Sequence, residues 1–370
     1  MVARCPASGG TAGRVVTLLL AAVLGIAAPA GCAGHSAPQP TDRAVALSAA
    51  RAFLATYVDP DGRVVRRDQG GDTVSEGQGY ALLLAVAVSD RGAVGRIWDW
   101  TRTHLQRPDA LLSYLWRDGA VADPSPAADA DTQVAWALTL AGARFKVPSW
   151  TADARRLAGA AAELEVGYDD SGAPLLAAGP FGAGGKSTPA VAEPGYWAAP
   201  AMASLARLTG DRRWQDMGPS HARLLADLTG SGARLPADWV QVGAGGGARP
   251  VPAPSGGASV RCALDGQRAL VWAALDPSTR ALAGRWWLLV DATAAAAPLA
   301  RRLDGGVLQA DATPLGAVAA AAAAGAAGRP GDAAALLTRA DAVAAKYPSY
   351  YGQAWAALGR VLLTTDLLAA

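Results

Sequence analysis

Residues Ser75–Asp90 read SEGQGYALLLAVAVSD, and residues Ala127–Phe145 read AADADTQVAWALTLAGARF. Each opens on acid and small residues, then runs apolar through several helical turns. Apolar spacing of the same period recurs from Ala44 onward, while alternating β-branched runs are scarce. It predicts twelve helices, at 43–57, 76–89, 91–106, 129–144, 150–165, 194–208, 211–228, 266–275, 277–294, 313–325, 331–344 and 351–368. Asp90, Asp211, Asp276 before Pro277, Thr313 before Pro314, and Asp332 supply helix starts. Many stripes are broad enough to pack on two sides and are rich in Ala. Short connectors, such as Thr209-Gly210-Asp211, make antiparallel neighbours. Six hairpins closed into a toroid are the expected all-α architecture. An open solenoid is the alternative, weakened by the lack of a fixed-period repeat.

Three loops interrupt the pattern: 59–73, expected to form a turn and a small hairpin; the Gly-rich 181–189; and the Gly/Pro-rich 242–260. Loops of this length within a domain are often functional. No interdomain linker is visible, so 43–370 reads as one domain.

The chain has 370 residues, 51% hydrophobic and 17% charged, with 33 Lys and Arg against 31 Asp and Glu. That balance lacks the basic surplus of a nucleic-acid binder. Three His and three Cys leave little for zinc or iron sites. Carboxylates and twelve Trp are plentiful, which suits acid/base chemistry on a neutral substrate.

Arg4 and Arg14 precede an uncharged apolar run from Val15 to Ala30, too short for comfortable membrane spanning and suited to a secretion signal. Cleavage after Ala30 is one reading; lipidation of Cys32, after Gly31, is the other. Removing 1–32 takes away two of the 33 bases and no acid, so the mature chain is formally neutral. Residues 33–42 read as a short polar tether. Beyond Cys32 only Cys262 remains, so the body holds no intramolecular disulfide. The expected location is extracellular, or anchored on the outer face of a bacterial cytoplasmic membrane.

Three acidic helix mouths stand out. Glu76 lies between a polar loop and two glycines, and glycine in a first helical turn suggests a close approach to the backbone. Asp129 and Asp131 diverge on a helix, so one can face a pocket while the other caps or pairs. Asp265 follows the long Gly/Pro loop, with Arg268 three residues on and able to pair with an acid. The plain reading of each, taken alone, is N-terminal capping or a local salt bridge. Three such mouths in one toroid, beside long loops, exceed what capping predicts.

SEGQGY (75–80) and AADADTQVAWALTLAGARF (127–145) resemble the signatures of glycoside hydrolase family 8. EPGYWAAP (193–200), LPADWVQV (235–242), LDGQRALVWAAL (264–275) and YYGQAWAALGRVLL (350–363) are similar to later blocks, in the family's order. The resemblance implies an (α/α)6 barrel and inverting hydrolysis of β-1,4-glucan, or of xylan, chitosan or mixed-linkage glucan. By position it makes Glu76 the general acid and Asp265 the general base. Asp129 would grip the sugar beside the cut, Tyr196 would line the site near the attacking water, and Trp116 would offer a stacking face. Arg268 would keep Asp265 ionised, and Asp131 would be structural. No metal or cofactor is needed, the partner is a neutral β-linked polysaccharide, and a monomer is expected. Three positions depart from the pattern: Ala128 for Ser or Thr, Leu264 for Tyr, and Glu193 for Asn. A non-catalytic glycan-binding protein of polysaccharide assembly is the alternative on the same barrel. A polysaccharide lyase fits less well, given neutral charge and only His104 and His221, read as surface or partly buried, in the barrel.

Overall fold

Apolar helices that pack on two sides need a layer on each side, and the chain supplies both. The structure is a computed structural model that describes residues 40–256 and 259–369. The expected signal segment, Cys32 and tether residues 33–39 lie outside the described residues. The end of the expected tether is instead helical, forming the first turn of α1 (Pro40–Tyr57).

The other helices are α2 (Ser75–Ala87), α3 (Arg91–His104), α4 (Ala128–Phe145), α5 (Pro148–Leu164), α6 (Ala199–Thr209), α7 (Arg212–Leu228), α8 (Leu264–Leu275), α9 (Arg280–Val290), α10 (Pro314–Ala326), α11 (Pro330–Lys346) and α12 (Tyr350–Thr364). Six of them, α2, α4, α6, α8, α10 and α12, each pack on the next, and α12 returns to α2. The ring is closed, an (α/α)6 barrel, and the open solenoid is excluded. Inner helices are buried nearly all round: in α2 only Glu76 escapes full burial. Outer helices bury one stripe, as α7 does with Trp214, Met217, His221, Leu224, Leu225 and Leu228. Ala-rich α10, buried from Pro314 to Ala324, lets its neighbours approach closely.

Asp90, Asp211 and Thr313 cap α3, α7 and α10 as expected, accepting from the backbone N–H of Ala93, Arg213 and Gly316. Asp276 instead follows α8 and accepts from Ser278 N, so α9 starts later, after Thr279. The expected 194–208 helix is split into a 3-10 turn, Pro194–Tyr196, and α6, whose Pro200 is tolerated only in a first turn. The expected last helix stops at Thr364, and Leu367 and Leu368 are buried in a short tail. His221 is also deeper than expected, at 6% exposed.

Short strands sit in the connections: β1 (Thr73–Val74), β2 (Leu115–Arg117), β3 (Ala120–Asp123), β4 (Val166–Tyr168), β5 (Pro174–Leu176), β6 (Ala190–Ala192), β7 (Trp239–Val242), β8 (Ala248–Val251), β9 (Pro298–Arg301) and β10 (Val307–Ala312). All pairings are antiparallel, in the orders β1-β2-β3, β4-β5, β6-β7-β8 and β9-β10. The 59–73 loop is less regular than a hairpin, with isolated bridges Val58–Val64 and Arg66–Asp72 about a 3-10 turn. The 242–260 loop, by contrast, begins as a hairpin, because β8 pairs back on β7 and its Pro250 sits on the sheet edge.

Trp355 fills the middle of the ring, edge-on to Tyr80 at 5.7 Å and to Trp272 at 5.8 Å. It is fully buried and donates from Nε1 to Tyr80 Oη at 3.2 Å. Trp355→Ala is expected to cost about 3–5 kcal/mol, read as a lowered urea midpoint with the helical circular dichroism retained.

Candidate active site

The chain enters α2 from β1, whose register is fixed by Thr73–Trp116 and Val74–Leu115. Gln78 then anchors the helix to the preceding loop and to α3: its Oε1 accepts from Val64 N at 2.7 Å, and its Nε2 donates to Thr101 Oγ1 at 2.7 Å. Glu76 is left at the mouth. A Cβ on Gly77 would stand 2.5 Å from Tyr350 Oη, the close approach that glycine at this place suggested.

Asp265 is held from further away. No side chain beside α8 caps it; Asp238, from the β6–β8 region, does so across the chain. Its Oδ1 accepts from Ala263 N at 2.6 Å and Gly266 N at 2.9 Å. Gly195 lies directly on the Asp265 backbone, where a Cβ would meet the Asp265 carbonyl oxygen at 2.1 Å. Trp272 Nε1 fixes Gly195 by donating to its carbonyl at 2.9 Å.

One guanidinium joins these parts. Arg268 Nη1 donates to Asp129 Oδ2 at 2.8 Å and Glu76 Oε2 at 3.1 Å, and Nη2 donates to Asp265 Oδ1 at 2.5 Å. Tyr80 Oη accepts a further 3.2 Å bond from Nη1, and the Tyr196 ring lies 5.0 Å from Cζ. Side-chain exposure is 2% for Arg268 and 1% for Asp129, but 19% for Glu76 and 31% for Asp265. Thus Arg268 and Asp129 are closed off from solvent, and Glu76 and Asp265 are the acids of this cluster that reach it. Asp129, whose other oxygen accepts from Ala130 N, has little free surface to offer a sugar in this arrangement.

Burial raises the Glu76 pKa to about 7; Arg268 pulls it down, and Asp129 and Asp265 push it up. Burial also raises Asp129, against the pull of Arg268. For Arg268 itself burial opposes the charge, but the surrounding acid groups hold it cationic. The site therefore pairs a carboxyl that keeps its proton to near neutrality with a second, more exposed one that is ion-paired. Such a pair can give a proton on one side of a bond and accept one on the other. Among the described residues no group of three His, Cys, Asp or Glu is arranged to hold a metal ion.

Asp131 points away from the cluster. It accepts from Leu112 N at 2.9 Å, fixing the loop before β2, and lies beside buried Glu165. Burial pushes both of these carboxyls well up. Trp116 is half-buried against outer helix α3, edge-on to Trp100 at 5.8 Å and to His104 at 4.9 Å. Tyr114, two residues earlier, is the exposed aromatic whose hydroxyl feels the Glu76 charge. Ala128 is fully buried, and Leu264 packs against the core. Sequence reasoning gave no role to Tyr80, Asp238 or Gly195. Tyr80 had a usable signal, since it stands four residues after Glu76 on one helix face. Asp238 and Gly195 reach Asp265 only through the tertiary fold.

A toroid that gathers paired carboxyls at its helix mouths can host acid/base chemistry. The sequence model of "Glycosyl hydrolases family 8" matches residues 33–281, and the chain belongs to that family. It is 34% identical over 207 residues to a probable endoglucanase of Novacetimonas hansenii and 30% over 209 residues to an endoglucanase of Cellulomonas uda. These matches cover 53% and 55% of this chain, and only 58% and 57% of the two relatives. The solved endo-β-1,4-glucanase CMCax of Acetobacter xylinum superposes with a TM-score of 0.71 at 26% identity, covering 88% of this chain and 99% of that one.

Arg268→Met leaves buried carboxyls without their cation and is expected to cost about 3–5 kcal/mol. Without Arg268 the folded state favours their protonated forms, so its stability falls as pH rises. Urea titrations are expected to show a larger gap from wild type at pH 8 than at pH 5.

Proposed function

We propose that the protein is an inverting endo-β-1,4-glucanase. The observation that carries this reading is the Glu76–Arg268–Asp265 bridge, in which the two terminal nitrogens of one guanidinium each hold one of two solvent-reaching carboxyls. Inverting glycosidases use two carboxyls roughly 6.5–9.5 Å apart, with room for one water. Glu76 gives its proton to the leaving glycosidic oxygen as the C–O bond breaks. Asp265 takes a proton from water as that water attacks the anomeric carbon from the opposite face. Asp129 acts mainly through Arg268 and through the Glu76 charge. The names of the relatives support a β-1,4-glucan as substrate, and formal neutrality after loss of 1–32 suits an uncharged polymer. Tyr114, Trp116 and Tyr196 are the aromatic surfaces proposed for sugar faces. The apolar run 15–30 and Cys32 support export, free or lipid-anchored.

Glu76→Gln is expected to lower reducing-end release from carboxymethylcellulose by about 10²–10⁴-fold, with binding retained. NMR of fresh product should show the inverted anomer first; retention contradicts the reading. Because the acid must be protonated, wild-type kcat/KM should fall as pH rises through about 7, the raised Glu76 value. Wild-type protein that binds the glucan without shortening it would favour the non-catalytic alternative.

A further inference from the structure

Arg268 Nη1 has more acceptors than hydrogens. It carries two hydrogens and donates to three oxygens: Asp129 Oδ2 at 2.8 Å, Glu76 Oε2 at 3.1 Å and Tyr80 Oη at 3.2 Å. At least one hydrogen is therefore divided, and the two longest contacts are those to Glu76 and Tyr80. Among the described residues no other group donates a hydrogen bond to the Glu76 carboxyl. Whatever share of Nη1 goes to Tyr80 is withheld from the two acids.

Tyr80 cannot withdraw from this competition. It is fully buried on α2, four residues after Glu76, with its ring 6.4 Å from Tyr351 and edge-on to Trp355 at 5.7 Å. Trp355 Nε1 donates to the same Oη at 3.2 Å, so the indole pins that oxygen as an acceptor beside Nη1. Burial, with the Glu76 charge behind it, also holds the Tyr80 hydroxyl neutral, so it competes as a dipole and adds no charge. The charged groups that act on Glu76 are Arg268, Asp129, Asp265 and Arg66. The hydroxyls of Tyr114, Tyr350 and Tyr351 also feel its charge. Removing the Tyr80 oxygen would leave all of these in place.

We propose that Tyr80 is a positioning residue: held by Trp355, its hydroxyl oxygen takes a share of the Arg268 Nη1 hydrogens and keeps the hydrogen bond to Glu76 weak. A hydrogen bond to a carboxylate favours its ionised form, so a weak one leaves Glu76 readier to hold a proton. Resting on the glucanase reading, this preserves Glu76 as the proton donor. Tyr80 itself exchanges no proton with the substrate.

The test is Tyr80→Phe, read by carbon-13 titration of the glutamate carboxyls and by the pH profile of kcat/KM on carboxymethylcellulose. Without its competitor, Nη1 should bond Glu76 more fully and lower its midpoint by about one pH unit, the scale of one hydrogen bond. The alkaline limb should move with it, so that kcat/KM falls about tenfold at pH 8 and little at pH 5. Tyr80→Phe leaves the Trp355 N–H without its acceptor. Tyr80→Phe/Trp355→Phe removes that group as well and should show the same shift. A purely structural role would lower kcat or the urea midpoint and leave both titrations unmoved. That result, or an upward shift, overturns the proposal. Wild-type protein without any turnover would instead defeat the glucanase reading, on which the NMR titration does not depend.

Discussion

Burying a guanidinium among carboxyls is costly unless its donors find partners, and the two terminal nitrogens of Arg268 find theirs while its Nε is left without one. Its two terminal nitrogens reach acids on three different inner helices, α2, α4 and α8. The ring of six inner helices brings those three N-terminal ends together, and only a closed ring does so. Helix N-termini carry partial positive charge, which also favours acids at these mouths. Fold and site are thus two descriptions of one constraint: the barrel converges the carboxyls, and the cation makes their convergence tolerable.

Charge counting then assigns the proton. Glu76, Asp129, Asp265 and Glu193 surround one buried Arg, and so many negative charges cannot all be sheltered from water. The proton settles where the grip of Arg268 is weaker: its bond to Glu76 is 3.1 Å, against 2.8 Å to Asp129, which also accepts from Ala130 N. Glu76 shares Nη1 with Asp129, whereas Asp265 has Nη2 to itself and more contact with solvent. The raised Glu76 value has a consequence for stability. The fold favours its protonated form, so that contribution is complete below the ordinary carboxyl range and is lost as pH rises through about 7. The feature that makes the acid useful therefore weakens the fold on the alkaline side.

Periodicity was enough to read twelve helices, because inner helices buried on all sides carry long apolar runs, and short connectors pointed to their pairing. Glu76, Asp129 and Asp265 were legible as acidic helix mouths, and Arg268 as a local partner of Asp265. Its reach to Glu76 and Asp129 was not legible, since those contacts span 192 and 139 residues of chain. Asp238 was missed for a similar reason: it caps a helix that begins 26 residues later, and capping rules look only at neighbours. The split at Pro194–Tyr196 escaped notice because apolar spacing continued through it. That short turn is what seats Gly195 on Asp265 and Tyr196 over Arg268.

The central claim is that Glu76 keeps its proton to near neutrality because it is buried beside other acids and shares the Arg268 guanidinium with them. A carbon-13 NMR titration of the glutamate carboxyls tests this directly, with Glu76→Gln identifying the resonance. The account predicts a Glu76 midpoint near 7. A midpoint in the ordinary glutamate range, about 4.3, would contradict it.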